Sequence, residues 1–246
     1  MARYKLILAY EGSGFFGSQR QARRRTVQSE LERAAAKLGW RGPATIFAGR
    51  TDTGVHAEGQ VASLDLDWRH APESLRDALN AALARDVAVL AVEEAEPEFH
   101  PRFDAVARRY RYDIRCAMVR HPLEDRRAWR IWPAVSLASL KRVARLLAGS
   151  HDFGAFGSPA RSGGGTSRTV SLSEWTSDGG LLRYDIEADG FLFRMVRRLV
   201  FVQVAVAQGR CSDRVLRQAL HEGRRPPGLA AGMAPAEALR LMEVRY

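Results

Sequence analysis

Glu93-Glu94-Ala95-Glu96-Pro97-Glu98 divides this chain. The stretch is acidic and carries a proline inside an otherwise basic sequence, so it reads as a boundary rather than an element. On its N-terminal side, Tyr4 to Glu11 alternates, with Tyr4, Leu6, Leu8 and Tyr10 on one face, and predicts a strand. Thr26 is an N-cap for a helix with Val27, Leu31, Ala34, Ala35 and Leu38 at helical spacing. Thr45-Ile46-Phe47 is a short strand and Gln60 to Leu66 an alternating one. Glu73 to Leu83 turns Leu75, Ala78, Leu79 and Ala82 inward as a helix, and Val87 to Glu94 is a strand. The first half therefore reads β-α-β-β-α-β, the ferredoxin-like split pattern.

Beyond the boundary, Arg108-Arg109-Tyr110-Arg111-Tyr112-Asp113-Ile114 alternates, with arginines on one face and Tyr110, Tyr112 and Ile114 on the other. Ser136 caps a helix through Leu140, Val143, Ala144 and Leu147. Ser158 to Ser167 is Gly/Ser-rich and predicts a mobile loop. Val170 to Trp175 and Leu181 to Ala188 predict a hairpin around Asp178-Gly179-Gly180. Phe191 to Gln208 reads as a helix despite its valines, because it is longer than a usual strand. Ser212 caps another helix, and Leu239 to Tyr246 ends the chain as a strand. The expected fold is α+β: two ferredoxin-like, RRM-like βαββαβ halves, 1–98 and 99–246. They are expected to join into one mixed, mainly antiparallel sheet with helices behind it and a cleft on the open face of the sheet.

Composition points the same way. The chain has 246 residues, a net charge of +10 and a pI near 10.4. Of its 38 basic residues only Lys5, Lys37 and Lys141 are lysine. A GC-rich genome accounts for the arginine-to-lysine ratio but not for the excess charge. Arginine suits bidentate phosphate contacts and stacking on bases, so the excess indicates nucleic acid. Cys116 and Cys211 form no CxxC pair, which argues against a disulfide framework or a zinc site and fits a reducing compartment. Neither a secretory signal nor a stretch of roughly 18 apolar residues is present, so a cytoplasmic, non-membrane protein is expected.

Within the first half, Ala48-Gly49-Arg50-Thr51-Asp52-Thr53-Gly54-Val55-His56 sets one carboxylate between two glycines, beside Arg50. Asp-Thr-Gly alone is ordinary turn chemistry. In a strongly basic chain, however, an acid in a loop open to close approach needs a chemical reason. Beside an arginine it can act as a nucleophile or base held ionised at neutral pH.

That nine-residue string resembles the active-site motif of the TruA family of tRNA pseudouridine synthases, Gly-Arg-Thr-Asp-(Ala/Thr)-Gly-Val-His. The resemblance runs nearly end to end. Tyr10-Glu11-Gly12-Ser13-Gly14-Phe15-Phe16-Gly17-Ser18-Gln19-Arg20-Gln21 opens it, followed by Gly59-Gln60-Val61 and Phe99-His100-Pro101-Arg102-Phe103. Ala107 to Tyr112, His151-Asp152-Phe153, Ser167-Arg168-Thr169-Val170 and Phe191 to Arg198 complete it. By resemblance, Asp52 is the catalytic aspartate, Arg50 and Arg197 support it, and Tyr110 stacks on the target base. Arg23, Arg24, Arg25, Arg194 and Arg198 are candidate RNA contacts. The resemblance also implies a cofactor-free and metal-free homodimer acting on positions 38, 39 and 40 of the tRNA anticodon stem-loop. Two positions depart from the family pattern: Ser18 replaces a usual Trp, and Ala238 replaces a Gly.

Read without the resemblance, these residues have plainer roles. Tyr110 is a core aromatic, Arg194 and Arg197 form a solvated helix face, and Arg23-Arg24-Arg25 is a solvated basic loop. Two rival functions also arise. His56-Ala57-Glu58 matches half of a zinc nucleobase deaminase signature, but the P-C-x-x-C half is missing. A non-catalytic RNA-binding module with two RRM-like sheets leaves the acid at the binding loop without a purpose.

Overall fold

The computed structural model describes residues 1–123, 125–161 and 163–246. In chain order the elements are β1 (Ala2–Tyr10), α1 (Val27–Lys37), β2 (Ile46–Phe47), β3 (His56–Leu66), α2 (Pro72–Ala82) and β4 (Val87–Ala95). They continue with β5 (Ala107–Cys116), β6 (Trp129–Ile131), α3 (Leu137–Ala144), β7 (Gly149–Asp152), β8 (Ser167–Asp178) and β9 (Leu181–Ala188). Last come α4 (Met195–Ala207), α5 (Asp213–Glu222) and β10 (Leu239–Arg245). The class is α+β, and the strands pair mainly antiparallel.

Two compact units emerge. One is Met1–Val106 together with Arg240–Tyr246, and the other is Ala107–Leu239. The boundary expected at residue 98 thus falls at 106. The terminal strand, expected as the sixth element of the second repeat, belongs to the first unit. It pairs in parallel with β3, Arg240 opposite His56 and Leu241 opposite Ala57. The opening exists because β2 is only two residues long and covers β3 only at Ala62 and Ser63. The near end of the β3 edge stays unpaired by β2, and an unpaired strand edge is a site for another strand.

In the first unit β1 lies between β3 and β4, antiparallel to both. Alternation sends Tyr4, Leu6 and Leu8 to the helix side. There they pack with Leu31, Ala34 and Ala35 of α1, Leu75 and Leu79 of α2, and Leu64 and Leu66 of β3. Each fully buried leucine contributes roughly 1.5–3 kcal/mol. Thr26 caps α1 as expected, in a reciprocal box with Ser29. The opposite sheet face is charged and paired: Arg3 forks onto Asp65 at 2.7 and 2.9 Å, and Lys5 meets Glu93 at 3.2 Å.

In the second unit the order is β5-β9-β8-β7, all antiparallel, with β6 alongside β5 in parallel. The β8–β9 hairpin turns through Gly179 and Gly180, both at positive φ, as its sequence predicts. The arginine face of β5 is partly offset within the unit. Arg109 and Arg111 both meet buried Asp185 at 3.2 Å. Ser136 and Ser212 cap α3 and α5. α4 is buried nearly all round, which explains how a valine-rich segment stays helical: packing outweighs its weak propensity. It starts at Met195 rather than 191. Phe193 N donates to Ser158 O at 2.9 Å, and Arg194 takes a left-handed conformation at φ 64°, so no helical turn forms there. Of the loop expected to be mobile over 158–167, Ser162 lies outside the described residues.

Candidate active site

Asp52 sits on the crossing from β2 to β3, and the residue before it is braced from several sides. Thr51 N donates to Ser18 Oγ at 2.9 Å, while Ser18 N donates to Thr51 O at 3.1 Å. Gln60 Nε2 donates to Tyr10 Oη at 3.3 Å and to Gly49 O at 3.0 Å. The Tyr10 hydroxyl also shares a 2.8 Å hydrogen bond with Thr51 Oγ1. Burial pushes the Tyr10 phenol up to about 12, so it stays a donor throughout the neutral range. Val55 N closes the loop onto Asp52 O at 3.1 Å.

Two glycines of the loop after β1 let it lie against this crossing. A Cβ on Gly12 would stand 2.1 Å from Val55 O. A Cβ on Gly17 would stand 2.8 Å from Thr51 O, and Gly17 also has φ +85°. Only glycine permits that approach. Gly12 N in turn donates to His56 Nδ1 at 3.0 Å. His56 is therefore spent on the loop, and Glu58 pairs with Arg240 at 3.2 Å. The half-signature of a deaminase has structural work here. Among the described residues no group of three or more His, Cys, Asp or Glu side chains could hold a metal ion.

Asp52 itself is half-buried, flanked by buried Thr51 and Gly54. Arg50 is exposed and enters no ion pair among the described residues. Arg23 and Arg24 are exposed, Arg23 in the left-handed region and Arg24 stacked 4.4 Å over the Phe16 ring. Arg25 differs from its two neighbours. It forks onto Asp86 at 2.6 and 2.8 Å, reaches Glu30 at 2.8 Å and covers Phe15. Its hydrogen bonds to Asp86 raise its pKa further. Arg25 is a structural clamp, with its guanidinium already shared between two carboxylates.

In the second unit, Tyr110 lies on β5 opposite Ile186 and meets the Phe191 ring edge-on at 5.2 Å. It is 9% exposed, so only a limited part of it is open to a ligand. Arg197 is half-buried on α4. Its Nε donates to Ala234 O at 2.8 Å, and Ala234 N returns a bond to Arg197 O at 3.2 Å. Tyr112 Oη donates to Pro235 O at 2.9 Å, so the same segment is tied to β5. Burial holds the Tyr112 phenol well above its ordinary range. Arg194 is exposed and stacks 4.6 Å over the Phe193 ring. Arg198 is half-buried and unpaired among the described residues. Ala238, the departure from Gly, lies in a 3-10 turn without positive φ, so no glycine is needed.

Three residues that hold the acidic loop carry no role in the sequence reading: Ser18, Tyr10 and Gln60. All three lie inside recognised blocks, which was the available signal. Their partners are distant in sequence, so their function was not readable from spacing.

Residues 6–104 and 143–246 match the family described as tRNA pseudouridine synthase. Several curated relatives share the name tRNA pseudouridine synthase A. The protein from Methylacidiphilum infernorum is 42% identical over 248 residues, covering 99% of this chain and 95% of its own length. Those from Geobacter sulfurreducens and Listeria innocua are each 37% identical, over 248 and 250 residues, with full coverage of both partners. By this match, over nearly its whole length, the chain belongs to the tRNA pseudouridine synthase family.

Proposed function

We propose that this enzyme isomerises uridine to pseudouridine at positions 38, 39 and 40 of the tRNA anticodon stem-loop, with Asp52 as the reacting carboxylate. The observation that supports the assignment is the bracing of Thr51 by Ser18 and Tyr10. A turn residue does not need such a frame, whereas a group that must meet one atom of a substrate does. The reaction breaks N1–C1′, turns the uracil and joins C5 to C1′. N1 gains a proton and C5 loses one, so the overall change is neutral and redox-free. Asp52 attacks or deprotonates the nucleoside. Arg197 is assigned as its cationic partner. Because Nε is held by Ala234, that pairing runs through the Nη atoms.

The target base must leave its stem, at a few kcal/mol. Tyr110 is assigned as the platform that recovers roughly 1–3 kcal/mol of this by stacking. Arg23, Arg24, Arg194 and Arg198 are assigned to phosphates, and exposure adds Arg50 to that group. A homodimer working in the cytoplasm completes the reading. No helix of the described residues is long and apolar enough to cross a membrane.

The test is release of tritium from C5 of uridine in a labelled anticodon stem-loop, in the presence of EDTA. Wild type is expected to release label. Asp52→Asn is expected to fall by at least about a thousandfold while still binding RNA. Equal release by both proteins overturns the assignment of Asp52. Tight binding without release by wild type favours the RNA-binding module instead.

A further inference from the structure

The second unit carries a cavity of about 490 Å³ that the proposed reaction does not use. It lies where β7 and the start of β8 meet α5, and Ser150, His151, Asp152, Ser167, Arg217 and His221 line it. In this unit β7 is three strands from β5, which bears Tyr110. At about 4.8 Å per strand that is roughly 14 Å. The cavity is therefore a separate place in the fold.

Its donors are those of an anion site. Arg217 is exposed and makes no hydrogen bond or ion pair among the described residues. Arg214, Arg217 and His221 follow one another at three and four residues along α5, so they share one helix face. His151 Nε2 lies 2.9 Å from Ala148 O. A carbonyl only accepts, so Nε2 carries the proton; Nδ1 then donates to a ligand only in the doubly protonated ring, and His221 is the imidazole with no committed nitrogen among the described residues. Ser167 adds a hydroxyl, while that of Ser150 shares a 2.8 Å hydrogen bond with Thr169 Oγ1. Asp152 is the one opposing charge, and its position is structural. Its Oδ1 accepts from Gly154 N at 2.9 Å, and its Oδ2 would stand 2.2 Å from a Cβ on Gly223, the residue that ends α5. The carboxylate thus packs closely against the end of α5. A metal is disfavoured, because no three His, Cys, Asp or Glu side chains among the described residues converge to hold one.

We propose that this cavity binds a phosphate group, and that its source is the tRNA backbone outside the anticodon stem-loop. The phosphate chemistry stands on the lining alone; the tRNA source rests on the proposed function. A planar guanidinium with imidazole and hydroxyl donors is a set that receives phosphate oxygens. A chain with a charge of +10 has reason to grip a substrate far larger than one stem-loop.

The first arm of the test uses inorganic pyrophosphate and follows the ring signals of His151 and His221 by NMR. Saturable shifts in wild type, weakened at least tenfold in Arg217→Gln, support the site. Rings that do not respond, or that respond equally in Arg217→Gln, overturn it. The second arm compares full-length tRNA with the isolated stem-loop in Arg217→Gln and in His221→Gln. KM for full-length tRNA is expected to rise about tenfold, with kcat and all stem-loop kinetics unchanged. The salt dependence of tRNA binding should lose about one unit of slope. Responding rings with unchanged tRNA kinetics overturn the tRNA source and assign the site to a free phosphorylated molecule. If the rings respond in a protein that shows no synthase activity, the phosphate site stands and the proposed function falls.

Discussion

The loop before β3 and the start of α4 both present a charged residue, and they hold it by opposite means. Around Asp52, glycine removes steric conflict: Gly12 and Gly17 bring a second loop against the backbone, and Ser18 and Tyr10 then bond to Thr51. Before Arg197 there is no such relief. Arg194 itself adopts φ 64°, a conformation that costs a side-chain-bearing residue about 1–2 kcal/mol. Arg197 is then steered by the Ala234 carbonyl and by the rigidity of a buried helix, among other contacts. The acid is positioned by its neighbours, whereas the cation is positioned by the element it stands on. Short loops can be tuned atom by atom; a buried helix supplies position wholesale and accommodates local strain.

The sharpest way to break this contrast is Gly12→Ala. Its new Cβ would meet Val55 O at 2.1 Å, so the Asp52 loop must shift. A displacement near 1 Å should lower kcat about a hundredfold with the fold retained, checked by tritium release and circular dichroism. Unchanged kcat would mean that the loop tolerates movement. Arg197→Lys probes the other side. Lysine cannot both fill the Nε bond to Ala234 and present a planar pair of donors. The expected loss is about thirtyfold in kcat with little change in KM, and full activity would sink the pairing with Asp52.

Ser18→Ala is milder. It strips a buried N–H of its acceptor, at about 1–3 kcal/mol, read as a lower urea midpoint with kcat down about tenfold. Stability without any kinetic change would make Ser18 purely structural. Smallest of all is Arg194→Gly. Relief of the left-handed strain, less about 0.5–1 kcal/mol for the lost stack on Phe193, should leave the protein about 0.5 kcal/mol more stable by urea unfolding. A clear fall would show that the αL residue is not strained.

Local features were legible in the sequence. Thr26, Ser136 and Ser212 cap helices because capping depends on three or four neighbouring residues. Alternation placed the strands, and two glycines announced the β8–β9 turn. Asp52 stood out because an acid between glycines is unusual in a basic chain. What escaped was set by distance. Arg25 looked like its neighbours Arg23 and Arg24 until Asp86, 61 residues away, claimed it. Ser18 looked like a lost aromatic until Thr51 supplied its partner, 33 residues on. The start of α4 lies later than its apolar run suggests because the hydrogen bond to Ser158 competes with the first helical turn. The last strand could not be assigned to a unit from its own residues, since its place depends on how short β2 is.

That last strand carries a consequence for synthesis. The first unit is built from two separate segments, Met1–Val106 and Arg240–Tyr246. At ordinary rates of translation, the residues between them take on the order of ten seconds to emerge. Through that interval the edge of β3 at His56 and Ala57, immediately after the Asp52 loop, lacks its partner strand. An unfinished chain therefore has the acid but not the complete frame that holds it. Residues 240–246 act as a latch, and the first unit closes beside the Asp52 loop only after they have left the ribosome.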